Sequence, residues 1–123
     1  MLPPVNDDTI RNEDLLWRMI PAMYVDIDPD TGRDDISEGA FRTQEVSVHI
    51  VSLTDKPALF ARFPNHKLAQ FSAGAAREVD CIVVRDPEDP SHALILRADR
   101  PYSRLSGGQA LRIIRHPSFS LID

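Results

Sequence analysis

Two short apolar runs, Cys81-Ile82-Val83-Val84 and Ala93-Leu94-Ile95-Leu96, flank the charged loop Arg85-Asp-Pro-Glu-Asp-Pro-Ser91. Unbroken apolar runs of four residues suit strands buried on both faces, whereas a helix of this length would be marginal. The two prolines restrict the loop backbone and keep it from joining either run. A strand pair closed by a stiff loop is therefore expected at 81–96.

The rest of the chain repeats this theme of short, punctuated elements. Val46, Val48 and Ile50 alternate with Ser47, His49 and Val51, which predicts a strand with one buried face. Leu15–Ile20 and Met23–Asp28 read as two more strands separated by Pro21, and Pro29-Asp-Thr-Gly32 supplies the proline and late glycine of a reversing turn. Leu68–Ala73 reads as a further strand. Thr54 or Asp55 caps a short helix with Pro57 in its first turn and Leu59, Phe60 and Phe63 on one side. Ala75–Glu78 reads as a brief helical turn. Ser106 caps a last helix with Leu111 and Ile114 on one face, stopped by Pro117. About six short strands and two or three short helices, without strict alternation, predict an α+β domain with a mostly antiparallel sheet. Residues 1–14 hold Pro3, Pro4 and little apolar periodicity, so they are expected to form a flexible N-terminal arm ahead of a single domain at 15–123.

Composition narrows the function classes. A chain of 123 residues can bury roughly two thirds of its unfolded surface and needs no metal or disulfide staple. One cysteine, Cys81, excludes an internal disulfide and fits a reducing compartment. No run approaches 18 apolar residues, and the N-terminus has neither the basic start nor the apolar stretch of a signal peptide, so no membrane association and a cytoplasmic location are expected. Residues 1–38 carry ten acids and three arginines, net −7, while residues 39–123 carry nine acids and eleven bases, net +2. That balance does not favour nucleic acid as a partner.

Candidate sites follow from residue types. His92 starts a strand after the stiff loop, with Asp86 and Asp89 in hydrogen-bonding range, and is the first candidate for a binding or acid–base role. Ser106-Gly107-Gly108-Gln109 offers backbone N–H groups to an anion, helped by Arg104 or Arg112, but lacks the lysine of a phosphate-binding loop. Cys81 opens an apolar run and reads as structural. The Asp26-Ile-Asp-Pro-Asp ladder has threonine and serine where a calcium loop needs glycine and glutamate. The four histidines have no zinc-ligand spacing, so neither metal nor cofactor is expected.

Two resemblances add to this reading. Leu15-Leu16-x-Arg18-x-Ile20-Pro21, Ser37-x-x-Ala40-Phe41, Val46-Ser47-Val48, Asp86-Pro87 and His92-Ala93-x-Ile95 together resemble a set of short, uncharacterised bacterial proteins. The likeness implies a bacterial cytosolic protein, with a mobile-element or defence setting as its expected context. Strand Arg18 followed by Ser37 resembles the nucleotide-binding core of ADP-ribosyltransferase-like folds, although the later glutamates, Glu45, Glu78 and Glu88, do not form the matching motif. The function expected first is a non-catalytic binding or accessory module working through a protein partner. The alternative is a small nucleotide-using enzyme with Arg18, Ser37 and His92 in one cleft, where arginine holds a diphosphate and histidine moves a proton.

Overall fold

The computed structural model describes residues 3–122. Eight strands and three helices follow one another as β1 (Leu15–Pro21), β2 (Val25–Ile27), β3 (Asp34–Ile36), β4 (Val46–Ile50), α1 (Lys56–Arg62), β5 (His66–Ser72), α2 (Ala73–Arg77), β6 (Cys81–Arg85), β7 (His92–Arg97), α3 (Gly107–Ile114) and β8 (Ser120–Ile122). Six strands form one antiparallel sheet in the order β6-β7-β4-β1-β5-β8, and β2 pairs with β3 in a separate ribbon. The domain is α+β, as the runs of short strands predict.

Local chemistry explains most element ends. In the β2–β3 ribbon, Asp28 Oδ1 accepts from the Asp30 amide at 2.8 Å and Gly32 takes a φ of +72°, so the acids of this ladder build a turn. Pro57 occupies the first turn of α1. Ser106 and Gln109 form a reciprocal capping box at α3. Gln109 Nε2 also donates to the Val79 carbonyl at 2.9 Å, and this fixes the rotation of the helix. The expected inward face, Leu111 and Ile114, is therefore off by one residue: Ala110 and Ile113 are the buried pair. β8 at the C-terminal edge is absent from the sequence reading, because three residues are too few to show a period.

The sheet has two unlike faces. On one, Leu16, Ile20, Val46, Val48, Phe71, Val83 and Ile95 meet α2, α3 and the 3₁₀ turn Glu38–Phe41, with Phe41 at the centre against Phe71 and Phe119. On the other, Leu59 and Phe60 of α1, with Phe63 just after it, pack with Trp17, Met19, Leu68, Val51 and Ile122, and the Phe63 ring also meets His49. The same face carries Ile82 and Val84 on β6 and Leu94 and Leu96 on β7, which are half-buried and belong to neither apolar cluster among the described residues.

The expected flexible arm is corrected from residue 3 onward; Met1 and Leu2 lie outside the described residues. Ile10 is 1% exposed in the main core. Asp7 N–H donates to the Val83 carbonyl at 2.8 Å, and Asn6 Oδ1 accepts from the Val83 amide at 3.0 Å. Arg77 reaches Asn6, Asn12 and the Asp7 carbonyl, while Arg85 pairs with Asp7 at 3.0 Å. The segment thus closes the outer edge of β6 through side-chain and single backbone bonds. Such pairing follows no period of two, which is why the sequence alone reads as loose.

Candidate functional site: a histidine pair across two strands

The register of four strands sets one row of side chains across the sheet. His92 on β7 faces His49 on β4, His49 faces Trp17 on β1, and Trp17 faces Gln70 on β5. Asp86, just beyond β6, bonds His92 Nδ1 through Oδ2 at 3.1 Å. The His92 and His49 rings lie 5.5 Å apart, and Trp17 Nε1 donates to Gln70 Oε1 at 3.0 Å. A polar row on the partly open face of an otherwise apolar sheet is the most distinctive arrangement of functional groups in the molecule.

Asp86 is itself held in place. Its Oδ1 accepts from the Glu88 amide at 2.8 Å, and that bond together with the His92 ring holds its carboxyl below the usual range. With Asp86 accepting at Nδ1, the neutral His92 ring carries its lone pair on Nε2. Asp89 is turned into the loop instead: it accepts from the Ser91 amide and hydroxyl at 3.0 and 2.7 Å. Those bonds keep its carboxyl low as well. Of the two acids expected beside His92, Asp86 makes the contact. β6 and β7 pair directly up to Arg85 and Ala93, as the strand pair expected at 81–96 requires, which leaves no room for a cleft between them.

The cleft lies instead on the other side of the pair. A cavity of about 150 Å³ is lined by His49, Thr54, Asp55, Leu59, Arg62 and Ser91. His49 is 8% exposed, packs against the rings of Phe63 and His92, and has no hydrogen-bond partner among the described residues. Burial, then the nearby His92 and Arg62, push its pKa down to about 4. Asp89 opposes this shift and Arg18 adds to it, each more weakly. The alternation at Val46–Ile50 puts His49 on the less buried face of its strand; that β7 lies beside β4 is not legible in it.

A pH dependence follows from that burial. The unfolded ring takes a proton near pH 6.5 and the folded ring only near 4, so the unfolded chain binds more protons between these values. The stability contributed by neutral His49 is complete above pH 6.5 and is lost as pH falls towards 4. Because one edge of the ring meets the cleft, the expected loss is about 1–2 kcal/mol rather than the full linkage value. Urea unfolding with chelator present, wild type against His49→Gln, measures it. Equal slopes of stability against pH between 6.5 and 4.5 would refute the buried neutral ring. The lowered carboxylates Asp7, Asp86, Asp89 and Asp99 act below this window.

The remaining candidates are dispersed. Arg18 is 7% exposed on the opposite face of the sheet, where its guanidinium donates to the Ala40 carbonyl at 2.9 and 3.2 Å, the Ser47 carbonyl at 2.9 Å and Thr43 Oγ1 at 3.1 Å. Burial lowers its pKa to about 10. Ser37 caps the 3₁₀ turn Glu38–Phe41 by accepting from the Gly39 amide. Arg18, Ser37 and His92 therefore do not converge in one cleft. At α3, a Cβ on Gly107 would lie 3.1 Å from Glu38 Oε2, so the chain's own carboxylate faces the helix start whose N–H groups the sequence offers to an anion. Arg104 is exposed, and Arg112, also exposed, reaches the Glu78 carbonyl at 3.5 Å. Cys81 is buried, and burial pushes its thiol up to about 12, which removes the thiolate needed for nucleophilic attack.

No helix among the described residues is long and apolar enough to cross a membrane. In comparisons with known proteins, no family model matches the chain, and no curated protein or solved structure is significantly similar to it.

Proposed function

We propose that the chain is a non-catalytic binding module that acts through a protein partner seated on the open part of its sheet. The observation that supports this reading is the strip Ile82, Val84, Leu94 and Leu96, four half-buried apolar residues in two adjacent strands that belong to neither apolar cluster among the described residues. Natural domains cover such surface or use it. The scatter of Arg18, Ser37 and His92 over separate parts of the fold supports a binding role over a nucleotide-using one.

The chemistry of the rim favours one kind of partner. Glu45 immediately before β4, Asp86 immediately after β6, and Arg85 and Arg97 at the ends of β6 and β7 give the strip a rim of mixed charge. A protein segment that presents apolar side chains between charged residues of both signs complements this surface. Leu94→Glu places a charge at the centre of the strip and is expected to weaken binding by at least about tenfold, since central apolar contacts dominate such interfaces. Partners recovered with the wild-type chain would be identified by mass spectrometry, purified, and titrated against wild type, Leu94→Glu and Arg104→Ala. Loss with Leu94→Glu alone supports the reading; equal affinity for wild type and Leu94→Glu overturns it.

A further inference from the structure

We propose that His49 and His92 together bind a divalent transition-metal ion of the late first row, with zinc as the representative, leaving coordination positions open towards the adjoining cleft. The inference stands on the geometry of the pair and is independent of any partner on the apolar strip. The two residues are directly opposite in neighbouring antiparallel strands, with ring centres 5.5 Å apart. Two imidazoles that share one ion at metal–nitrogen distances of about 2.0–2.1 Å and near-tetrahedral angles have ring centres about 5–5.5 Å apart. The strands hold the ring centres at the separation that a shared ion requires.

The surroundings match what such a site needs. Histidine ligands commonly give their second nitrogen to a carboxylate, which fixes the ring and raises its basicity. Asp86 does this for His92 at 3.1 Å and is itself anchored by the Glu88 amide. His49 is more than nine-tenths buried, borders the cleft, and has no protein partner for either ring nitrogen among the described residues. With neither ring nitrogen engaged by the protein, the ring is free to give a lone pair to an ion. By contrast, both nitrogens of His116 are engaged, by Ser118 and Glu78. Among the described residues no cluster of three or more histidine, cysteine or acidic side chains is placed to hold a metal. The protein thus supplies two ligands, and the cavity of about 150 Å³ beside His49 has room for the waters that complete the shell. Imidazole-only donation selects zinc, copper, nickel or cobalt over magnesium or calcium, which require oxygen.

Isothermal titration of the metal-free protein with zinc chloride is the primary test, paired with the visible spectrum of the cobalt(II) form. One ion per chain is expected, with binding lost in His49→Gln and in His92→Gln. Asp86→Asn should weaken it about 10–100-fold, the usual effect of removing a carboxylate behind a histidine ligand. His116→Gln should leave it unchanged. Because His49 is buried, its variant has a companion measurement on the wild-type protein: in proton NMR, zinc should shift the ring resonances of His49 and His92 together and spare those of His66 and His116. No zinc uptake by the wild type, uptake that survives both His49→Gln and His92→Gln, or shifts confined to other histidines would each overturn the proposal.

Discussion

Arg18→Ala is expected to lower the unfolding free energy by about 2–4 kcal/mol, a large share of the 5–15 kcal/mol that holds a domain of this kind. The guanidinium makes four hydrogen bonds, two to the Ala40 carbonyl and one each to the Ser47 carbonyl and the Thr43 hydroxyl, and lies over the Phe41 ring at 5.9 Å. Truncation leaves the buried Ala40 carbonyl and the part-buried Ser47 carbonyl and Thr43 hydroxyl without this donor, at about 1–3 kcal/mol for each buried group left unsatisfied. It also opens a cavity where the alkyl stem packed. Relief of the buried charge offsets part of this loss, which is why the expected value stays below the sum of the parts. Arg18→Lys should recover little, because one ammonium cannot span the three acceptors that the planar fork reaches. Urea unfolding decides the matter: a change under about 1 kcal/mol would mean that Arg18 does not tie the Glu38–Phe41 turn to β1 and β4, and its role would have to be sought elsewhere.

Ile10→Ala should cost about 2–4 kcal/mol, the range for emptying a closely packed aliphatic site. Ile10 is the apolar anchor of residues 3–14, and with it loosened the bonds from Asn6 and Asp7 to Val83 lose their support. The Val83 amide should then exchange its hydrogen markedly faster, while amides in β1 at the sheet centre slow or speed only with global stability. Freed of its cover, the β6 edge also becomes a surface on which another strand can pair, and faster aggregation on warming should accompany the loss. Unchanged stability together with unchanged exchange at Val83 would restore the picture of a loose arm.

The fold was legible from residues whose local chemistry speaks for itself. Alternation at Val46–Ile50, apolar runs at Cys81–Val84 and Ala93–Leu96, Pro57 in the first turn of α1 and the cap of α3 name their elements because the signal lies within a few residues of chain, whereas neither Thr54 nor Asp55 makes the side-chain cap expected for α1. The face of α3 was misread by one position because its rotation is set by Gln109 reaching the Val79 carbonyl, 30 residues away. The N-terminal segment was misread because its contacts with β6 run through Asn6, Asp7 and Arg85 across more than 70 residues.

The same division holds for the candidate site. Sequence by itself determined that His92 follows a proline-stiffened acidic loop and that Asp86 lies within its reach, since six residues of constrained chain leave few other places for that carboxylate. Only the tertiary structure decided that His49, 43 residues earlier, is the second member of the pair, and that Arg18 faces away from both. Strand order and register are set by which apolar faces bury best against the helices, a property of the assembled sheet. A one-residue slip of β4 against β7 would turn His49 into the core and Val48 towards the cleft, and the pair would not exist.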